Sequence, residues 1–152
     1  MVVFTACTKS EISTPPSSLA ASSESFDQSV QKGNRNFELL TAGTWKYSKY
    51  YINYKDSSDP GKLIYKEGSS NNYSDFSKSR LTYLTNGVVT NVDSTGASTS
   101  GTWRFSNADS SQVTETYGRR DVVRTLVFLT KKSYRWYDDA RHTAYAEMKP
   151  DK

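Results

Sequence analysis

Apolar and polar residues alternate in short runs along the chain from residue 44 to residue 149. In Gly101–Ser106, for example, Trp103 and Phe105 fall on one face of an extended strand, and the polar residues beside them fall on the other. One apolar face and one polar face are typical of an antiparallel sheet that covers a core on one side. Because no stretch of this region has the period of about 3.6 residues of an amphipathic helix, the pattern predicts an all-β domain.

Runs rich in Thr, Tyr, Val, Trp and Phe, separated by turn residues, predict a series of short strands. They are Thr44–Tyr54, Lys62–Lys66, Arg80–Leu84, Val88–Asp93, Gly101–Ser106, Gln112–Tyr117, Asp121–Thr130, Ser133–Asp138 and Thr143–Lys149. The connections are short, and short connections join antiparallel neighbours in an up-and-down meander. Among the turns, Asn86-Gly87 predicts a type I′ hairpin turn, which needs positive φ at both central residues.

Two strands depart from simple alternation. In Thr44–Tyr54 the apolar positions change parity between Tyr47 and Tyr50, which predicts a β-bulge near Ser48-Lys49. The run Leu126-Val127-Phe128-Leu129 is apolar on both faces, so its outward half needs a cover. A meander of this length leaves two exposed edges unless it closes, so we expect a barrel of about eight strands, filled by side chains or holding one small ligand.

The charge pattern argues against nucleic-acid binding. The formal net charge is +4, and the basic residues are scattered. The pairs Arg119-Arg120 and Lys131-Lys132 fall in predicted turns, where charge normally means solvation. No apolar run approaches the roughly 20 residues that a membrane-spanning helix needs.

The first 33 residues have a different composition from the rest. Phe4-Thr5-Ala6-Cys7 resembles a bacterial lipobox, in which the cysteine carries the lipid, so Cys7 is the predicted lipid-attachment site. The basic and most of the apolar part of a signal peptide are absent, so we interpret residues 1–7 as a truncated lipoprotein signal. Residues 8–33 are rich in Ser, Thr, Ala and Gln and carry Pro15-Pro16, which predicts a disordered polar tether.

A short helix is predicted just before the first strand. Asn34 or Asn36 can cap it, and Phe37 and Leu40 share one of its faces. The order of elements that follows resembles the lipocalin-like lipoproteins of Gram-negative bacteria, which are calycin-type β-barrels. The elements that carry the resemblance are Gly43-Thr44-Trp45, Gly101-Thr102-Trp103-Arg104, Leu126–Thr130 and Tyr134–Tyr137.

This resemblance implies a lipocalin-like barrel over residues 34–150. It also implies a late arginine stacked on the first tryptophan, Trp45, for which Arg135 and Arg141 are both candidates. We interpret the repeated Gly-Thr-Trp as two copies of one architectural corner. Gly43 and Gly101 would let the chain enter a strand, and each tryptophan would plug the barrel.

The sequence offers little for catalysis. His142 is the single histidine and has no evident Ser or Cys partner, and Cys7 is the single cysteine. Metal sites need clustered ligands, and phosphate sites of the common type need glycine-rich loops that this chain lacks. We therefore expect no enzyme activity, no metal and no cofactor.

Binding remains, because tyrosine and tryptophan present apolar faces with polar tips that suit an amphipathic ligand. The residues predicted to line the interior are Tyr47, Tyr50, Trp103, Phe105, Phe128, Tyr134 and Trp136. The first hypothesis is a lipoprotein, anchored to the bacterial outer membrane, whose barrel binds a small hydrophobic or amphipathic molecule. The alternative is a filled barrel that docks onto a protein partner of the cell envelope through Leu126–Leu129.

Overall fold

A computed structural model describes residues 35–138 and 143–152. Within them, a short helix over residues 35–40 precedes a run of strands. The strands are β1 (Thr44–Ile52), β2 (Lys62–Lys66), β3 (Arg80–Tyr83), β4 (Val88–Val92), β5 (Ser98–Phe105), β6 (Gln112–Tyr117), β7 (Arg120–Thr130), β8 (Ser133–Asp138) and β9 (Ala144–Pro150). The predictions for the lipobox, Cys7, the tether, Arg141 and His142 fall outside the described residues.

The sheet closes on itself. Strands β3 to β9 pair in sequence order, all antiparallel, and β1 pairs with β3 on one side and with β9 on the other. β2 pairs with the second half of β1 and is not one of the eight strands of the closed ring. The result is an eight-stranded closed barrel with one additional strand. The all-β class, the antiparallel meander, the closure and the helix before the first strand are all confirmed.

The predicted bulge in β1 is confirmed. The pairing with β9 passes from Tyr47↔Met148 directly to Lys49↔Glu147, so Ser48 is the extra residue. The Ser48 hydroxyl donates to the backbone carbonyl of Glu147 at 2.9 Å. The side chain of the extra residue is therefore hydrogen-bonded across the bulge to β9. Because the bulge resets the parity of the strand, Tyr47 and Tyr50 both face the interior.

A second bulge, in β7, was not predicted. The pairing with β8 passes from Leu126↔Trp136 to Phe128↔Arg135, so Val127 is the extra residue. Leu126 packs against the core on one side of the bulge, whereas Val127 and Phe128 are each 48% exposed. The prediction that Phe128 lines the interior is therefore wrong, because the bulge turns its side chain to the outer face.

The β3–β4 hairpin is where the sequence predicts it, but its turn is of a different type. Gly87 has a φ of 83°, whereas Asn86 is not among the described residues with positive φ. The Gly87 amide donates to the Leu84 carbonyl at 3.1 Å, and the Leu84 amide donates to the Val88 carbonyl at 2.8 Å. This is a three-residue loop that needs positive φ at one position only, so the type I′ prediction is wrong.

One end of the barrel is closed by the helix. Leu40 is fully buried, and the ring of Phe37 stacks on Trp103 with centroids 5.7 Å apart. The indole N–H of Trp45 donates to the Leu40 carbonyl at 3.0 Å, and that of Trp103 donates to the Leu84 carbonyl at 2.9 Å. Both tryptophans of the repeated Gly-Thr-Trp thus donate hydrogen bonds to backbone carbonyls at this closed end.

The two glycines of the repeat lie in different settings. Gly43 directly precedes β1, and a Cβ added there would meet nothing within 4 Å. Gly101 lies inside β5, which begins at Ser98, so the prediction that it marks the entrance to a strand is wrong. A Cβ on Gly101 would lie 2.3 Å from the carbonyl oxygen of Thr116, so its absence lets β6 approach β5 closely.

Candidate ligand site at the open end

A buried ion pair forms the base of the site. Glu115 on β6 is fully buried, and Arg124 on β7 is only 7% exposed. The arginine donates from Nε to Oε1 at 2.5 Å and from Nη2 to Oε2 at 3.1 Å, which is a two-pronged contact. The two side chains meet because they occupy inward positions of adjacent strands, where Val113 pairs with Arg124 and Glu115 pairs with Val122.

Tyrosine hydroxyls complete the hydrogen bonding of the carboxylate. Tyr83 donates to Oε1 of Glu115, and Tyr117 donates to Oε2 at 3.0 Å. The hydroxyls of Tyr83 and Tyr134 are 3.1 Å apart and share a further hydrogen bond. Each carboxylate oxygen therefore accepts one bond from Arg124 and one from a tyrosine. A buried charge is tolerated when its partners satisfy it to this degree.

The guanidinium of Arg124 also stacks on a tryptophan. Its central carbon lies 3.8 Å from the centroid of the Trp136 ring, which is a cation–π contact inside the barrel. The indole N–H of Trp136 points to the sulfur of Met148 at 3.3 Å. The ring and the ion pair thus fix the position of the guanidinium from two sides.

The resemblance implied a different stacked arginine. Arg135, one of the two candidates for a stack on Trp45, lies on the outer face of the barrel with its guanidinium 5.4 Å from the Phe128 ring. Trp45 instead meets Tyr134 edge-on, with centroids 5.5 Å apart. Arg135 is therefore excluded as the arginine stacked on Trp45, because it alternates along β8 with the inward residues Tyr134 and Trp136, and the other candidate, Arg141, falls outside the described residues.

Beside the guanidinium, a cavity of about 320 Å³ opens at the end of the barrel opposite the helix. Its lining residues are Tyr47, Tyr50, Asn91, Thr99, Tyr117, Arg120, Val122, Arg124, Trp136, Asp138 and Ala144. We call this end the open end. The volume falls at the lower limit of the range of roughly 300–1,000 Å³ that is usual for sites of small ligands.

The tyrosines of the cavity are neutral hydrogen-bonding groups at physiological pH. Burial raises the pKa of Tyr47 to about 12, even though the nearby Arg124 acts in the opposite direction. Partial burial also raises the pKa of Tyr50. Each hydroxyl can therefore donate to, or accept from, a bound molecule without changing charge.

Burial and the neighbouring carboxylate act together on the deeper tyrosines. The pKa values of Tyr83, Tyr117 and Tyr134 are all raised, by burial first and by the Glu115 charge as well. For Arg124, burial is the largest single effect and works against the charged form. The Glu115 carboxylate, the neighbouring Tyr83 and Tyr47 and the hydrogen bond to Glu115 together hold the pKa well above its ordinary value. The guanidinium at the base of the site thus stays charged, is paired with Glu115 and is surrounded by neutral phenols.

Some of the predicted interior residues reach the cavity and others do not. Tyr47, Tyr50 and Trp136 line it. Tyr134 lies deeper, against Tyr83. Trp103 and Phe105 pack against each other, with centroids 5.5 Å apart, and belong to the core. A role of these side chains toward a ligand stays a prediction.

Glu115 and Arg124 were not among the residues predicted to form the site. A signal for them exists, because Glu115 falls between Val113 and Tyr117 on one face of its strand. Arg124 falls in the same way between Val122 and Leu126. Opposite charges at apolar-facing positions of two strands joined by a tight turn indicate a buried ion pair.

Across residues 35–138 and 143–152, no three His, Cys, Asp or Glu side chains come together as a metal site would require. In the same ranges, no helix has the length and apolar character needed to cross a membrane.

No protein-family model matches the chain, and no curated protein does. The fold is similar to that in the crystal structure of a DUF4847 family protein from Bacteroides vulgatus ATCC 8482. The TM-score is 0.54 at 13% sequence identity, and the match covers 76% of this chain and 96% of that one. At this identity the likeness shows the fold alone. Together with the sheet topology, it shows an antiparallel closed β-barrel.

Proposed function

We propose that this protein is a membrane-anchored lipoprotein whose barrel binds a small amphipathic molecule in the cavity at the open end. One observation carries the proposal: a barrel closed at one end by a helix has a cavity of about 320 Å³ at the other, with aromatic walls and a guanidinium at its base. A barrel filled only to stabilise itself has no need for an ion pair beside such a space, since apolar side chains would pack there at least as well.

The lining indicates the chemistry of the ligand. Trp136 and Tyr50 offer apolar ring surface, and Tyr47 offers a neutral hydroxyl. Arg124 uses two of its five N–H groups on Glu115, which leaves donors for its other neighbours and for a ligand. A second guanidinium, that of Arg120, is exposed at the rim. A molecule with a flat apolar part and a polar end rich in hydrogen-bond acceptors fits this lining best.

The lipid anchor rests on the sequence. Phe4–Cys7 resembles a lipobox, and the polar residues 8–33 follow it directly. This order is typical of a lipidated cysteine followed by a tether. A single acyl chain binds a membrane only marginally, so stable anchoring needs a second chain or a second attractive surface.

Filling the cavity tests the binding function. Val122 lies on β7 at the cavity wall and is half-buried, so Val122→Phe adds volume where a ligand would lie and leaves the ion pair in place. We expect the wild type to bind an amphipathic fluorescent probe, anilinonaphthalene sulfonate, with saturable enhancement. The variant should bind at least about tenfold more weakly, a loss of about 1.4 kcal/mol.

The matched control is Val127→Phe, which makes the same change on the outer face of the same strand. It should bind the probe as the wild type does, and thermal unfolding should show that both variants fold. Equal probe binding by Val122→Phe and the wild type would contradict the proposed site.

A second candidate function is docking of the barrel onto an envelope protein. It is favoured by the exposure of Val127 and Phe128 on the outer face of β7. A protein partner that uses this pair would be lost on Phe128→Lys, whereas binding in the cavity would be unaffected. Val122→Phe and Phe128→Lys therefore distinguish the two functions, because the first should affect only binding in the cavity and the second only docking.

A further inference from the structure

A continuous surface at the closed end combines cations with apolar side chains. Three grooves adjoin there. The first contains Val127, Phe128 and Arg35, and the second contains Arg35 together with Lys131 and Lys132. The third joins Lys131 and Lys132 to Lys149 and Lys152. Because neighbouring grooves share residues, they form one band, which we call the basic–apolar surface.

The cations of this surface outnumber their acidic neighbours. Three acids lie nearby. Glu38 is exposed and lines the second groove, and Glu67 and Asp151 bind Lys46, Lys149 and Arg80. Among the ion pairs of residues 35–138 and 143–152, none involves Arg35, Lys131, Lys132 or Lys152. All four of these side chains are exposed, so the surface presents a net positive charge to its surroundings.

The apolar pair lies at the edge of this charge. Val127 and Phe128 are each 48% exposed, and the guanidinium of Arg135 lies 5.4 Å from the Phe128 ring. The β7 bulge at Val127 holds both side chains outward. Half-exposed apolar residues flanked by lysine and arginine are the composition with which surface-bound proteins enter the headgroup region of an anionic membrane.

We propose that the basic–apolar surface docks on an anionic lipid bilayer, with the lysines over the lipid phosphates and with Val127 and Phe128 in the headgroup layer. Charge complementarity is the first reason. The second is the path of the chain, because the described part begins at Arg35, within this surface, so the preceding 34 residues join the barrel on the side that would face the lipid.

This docking goes beyond ligand binding and does not depend on it. The open end lies at the opposite end of the barrel from the basic–apolar surface, since β7 runs from Arg120 at the cavity rim to Thr130 beside Lys131. A docked barrel therefore directs its cavity away from the bilayer, and its ligand arrives from the aqueous side.

Vesicle co-sedimentation tests the proposal with the full chain carrying Cys7→Ser, which removes the only thiol and any lipid on it. The wild-type surface should bind phosphatidylglycerol–phosphatidylethanolamine vesicles at low salt, and it should bind neutral phosphatidylcholine vesicles only weakly. Lys131→Gln with Lys132→Gln should weaken binding about 25-fold, because each basic residue near an anionic surface contributes about fivefold in affinity. Both lysines are exposed turn residues, so the double variant keeps the fold.

The matched control removes two positive charges at the other end of the barrel. Arg119 lies in the β6–β7 turn, and Lys78 lies beside the β4–β5 turn at Gly96, and both are exposed. Lys78→Gln with Arg119→Gln should change binding by less than about twofold, although the net charge is the same. Equal losses in the two double variants would overturn the proposal, because they would show a nonspecific charge effect. Unchanged binding of the Lys131 and Lys132 variant would overturn it as well.

A fluorescent label reports whether the apolar pair enters the lipid. In the Cys7→Ser chain, Val127→Cys supplies a unique thiol for an environment-sensitive dye. Its emission should shift to the blue on anionic vesicles but not on heparin, a soluble polyanion of similar charge. The same shift on heparin, or no shift on vesicles, would overturn docking on lipid and leave a general polyanion site.

Discussion

Among single residues, Glu115 and Arg124 have the greatest consequence. Removing two charges from water costs several kcal/mol per ion, and only complete pairing offsets this cost. Here the carboxylate accepts bonds from Arg124, Tyr83 and Tyr117, and the guanidinium also stacks on Trp136. The pair is therefore stable only with all of these partners in place, and they hold the guanidinium in a fixed position beside the cavity.

Glu115→Gln should destabilise the fold strongly, because it leaves the charge of Arg124 buried without its partner. We expect the free energy of unfolding in urea to fall by about 3–5 kcal/mol. The control is Glu147→Gln, which removes an acid from a partly exposed ion pair with Lys49 on the outer face and should cost less than about 1 kcal/mol. Equal losses in the two variants would show that the interior pair carries no special energetic weight.

The buried tyrosines predict a loss of stability at high pH. Burial raises the pKa of Tyr47 from 10.0 to about 12, so between these values the folded state binds more protons than the unfolded state. The free energy of unfolding must then fall as the pH rises through this window, by about 2–3 kcal/mol from Tyr47 alone. Tyr83, Tyr117 and Tyr134 act in the same direction.

The measurement is circular dichroism together with tyrosinate absorbance during an alkaline titration. Most of the tyrosinate should form in the same cooperative step in which the sheet signal disappears. Gradual ionisation of the buried tyrosines well before unfolding would mean that water reaches the interior phenols.

At the level of the strands, the two bulges decide which side chains face inward. The bulge at Ser48 could be predicted, because Thr44–Tyr54 alternates and its apolar positions visibly change parity. The bulge at Val127 could not, because Leu126–Leu129 is apolar at every position and so has no parity to change. The error at Phe128 follows from this. The pairing of β7 with β8 determines which side Phe128 faces, and the sequence of β7 alone does not show this pairing.

The two glycines of the repeated Gly-Thr-Trp give a prediction about β5 and β6. Gly101→Ala should destabilise the fold by about 1–3 kcal/mol, since its Cβ would lie 2.3 Å from the Thr116 carbonyl oxygen and the strands would have to move apart. Gly43→Ala is the matched control, because its Cβ would meet nothing within 4 Å, and it should change stability by less than about 0.5 kcal/mol. Thermal or urea unfolding measures both. Comparable losses would mean that the repeat has one shared backbone role after all.

For the molecule as a whole, closure follows from the sequence while the interior does not. Short turns and period-two alternation require a meander, and a meander of this length closes to remove its edges. The alternation does put Glu115 and Arg124 on the inward faces of their strands, but a charge is tolerated there only with partners that the strand pattern does not show. The hydrogen bonds that make their burial tolerable come from Tyr83 and Tyr117, and their meeting depends on the pairing of β6 with β7 and on the curvature of the closed sheet.

The two ends of the barrel differ in structure. The helix and the indoles of Trp45 and Trp103 close one end, where the basic–apolar surface also lies. The cavity opens at the other end. This division would let one end hold the protein at a membrane while the other receives a ligand from solution.

Native mass spectrometry of the full-length protein, purified gently from its own host, tests the central claim most directly. We predict an added mass of one small molecule on the wild type, which disappears on denaturation and is absent from Val122→Phe. Identification of that molecule should reveal an apolar part and an acceptor-rich polar end. If neither the wild type nor Val122→Phe carries an added mass, the result would contradict the claim that the barrel is a binding protein.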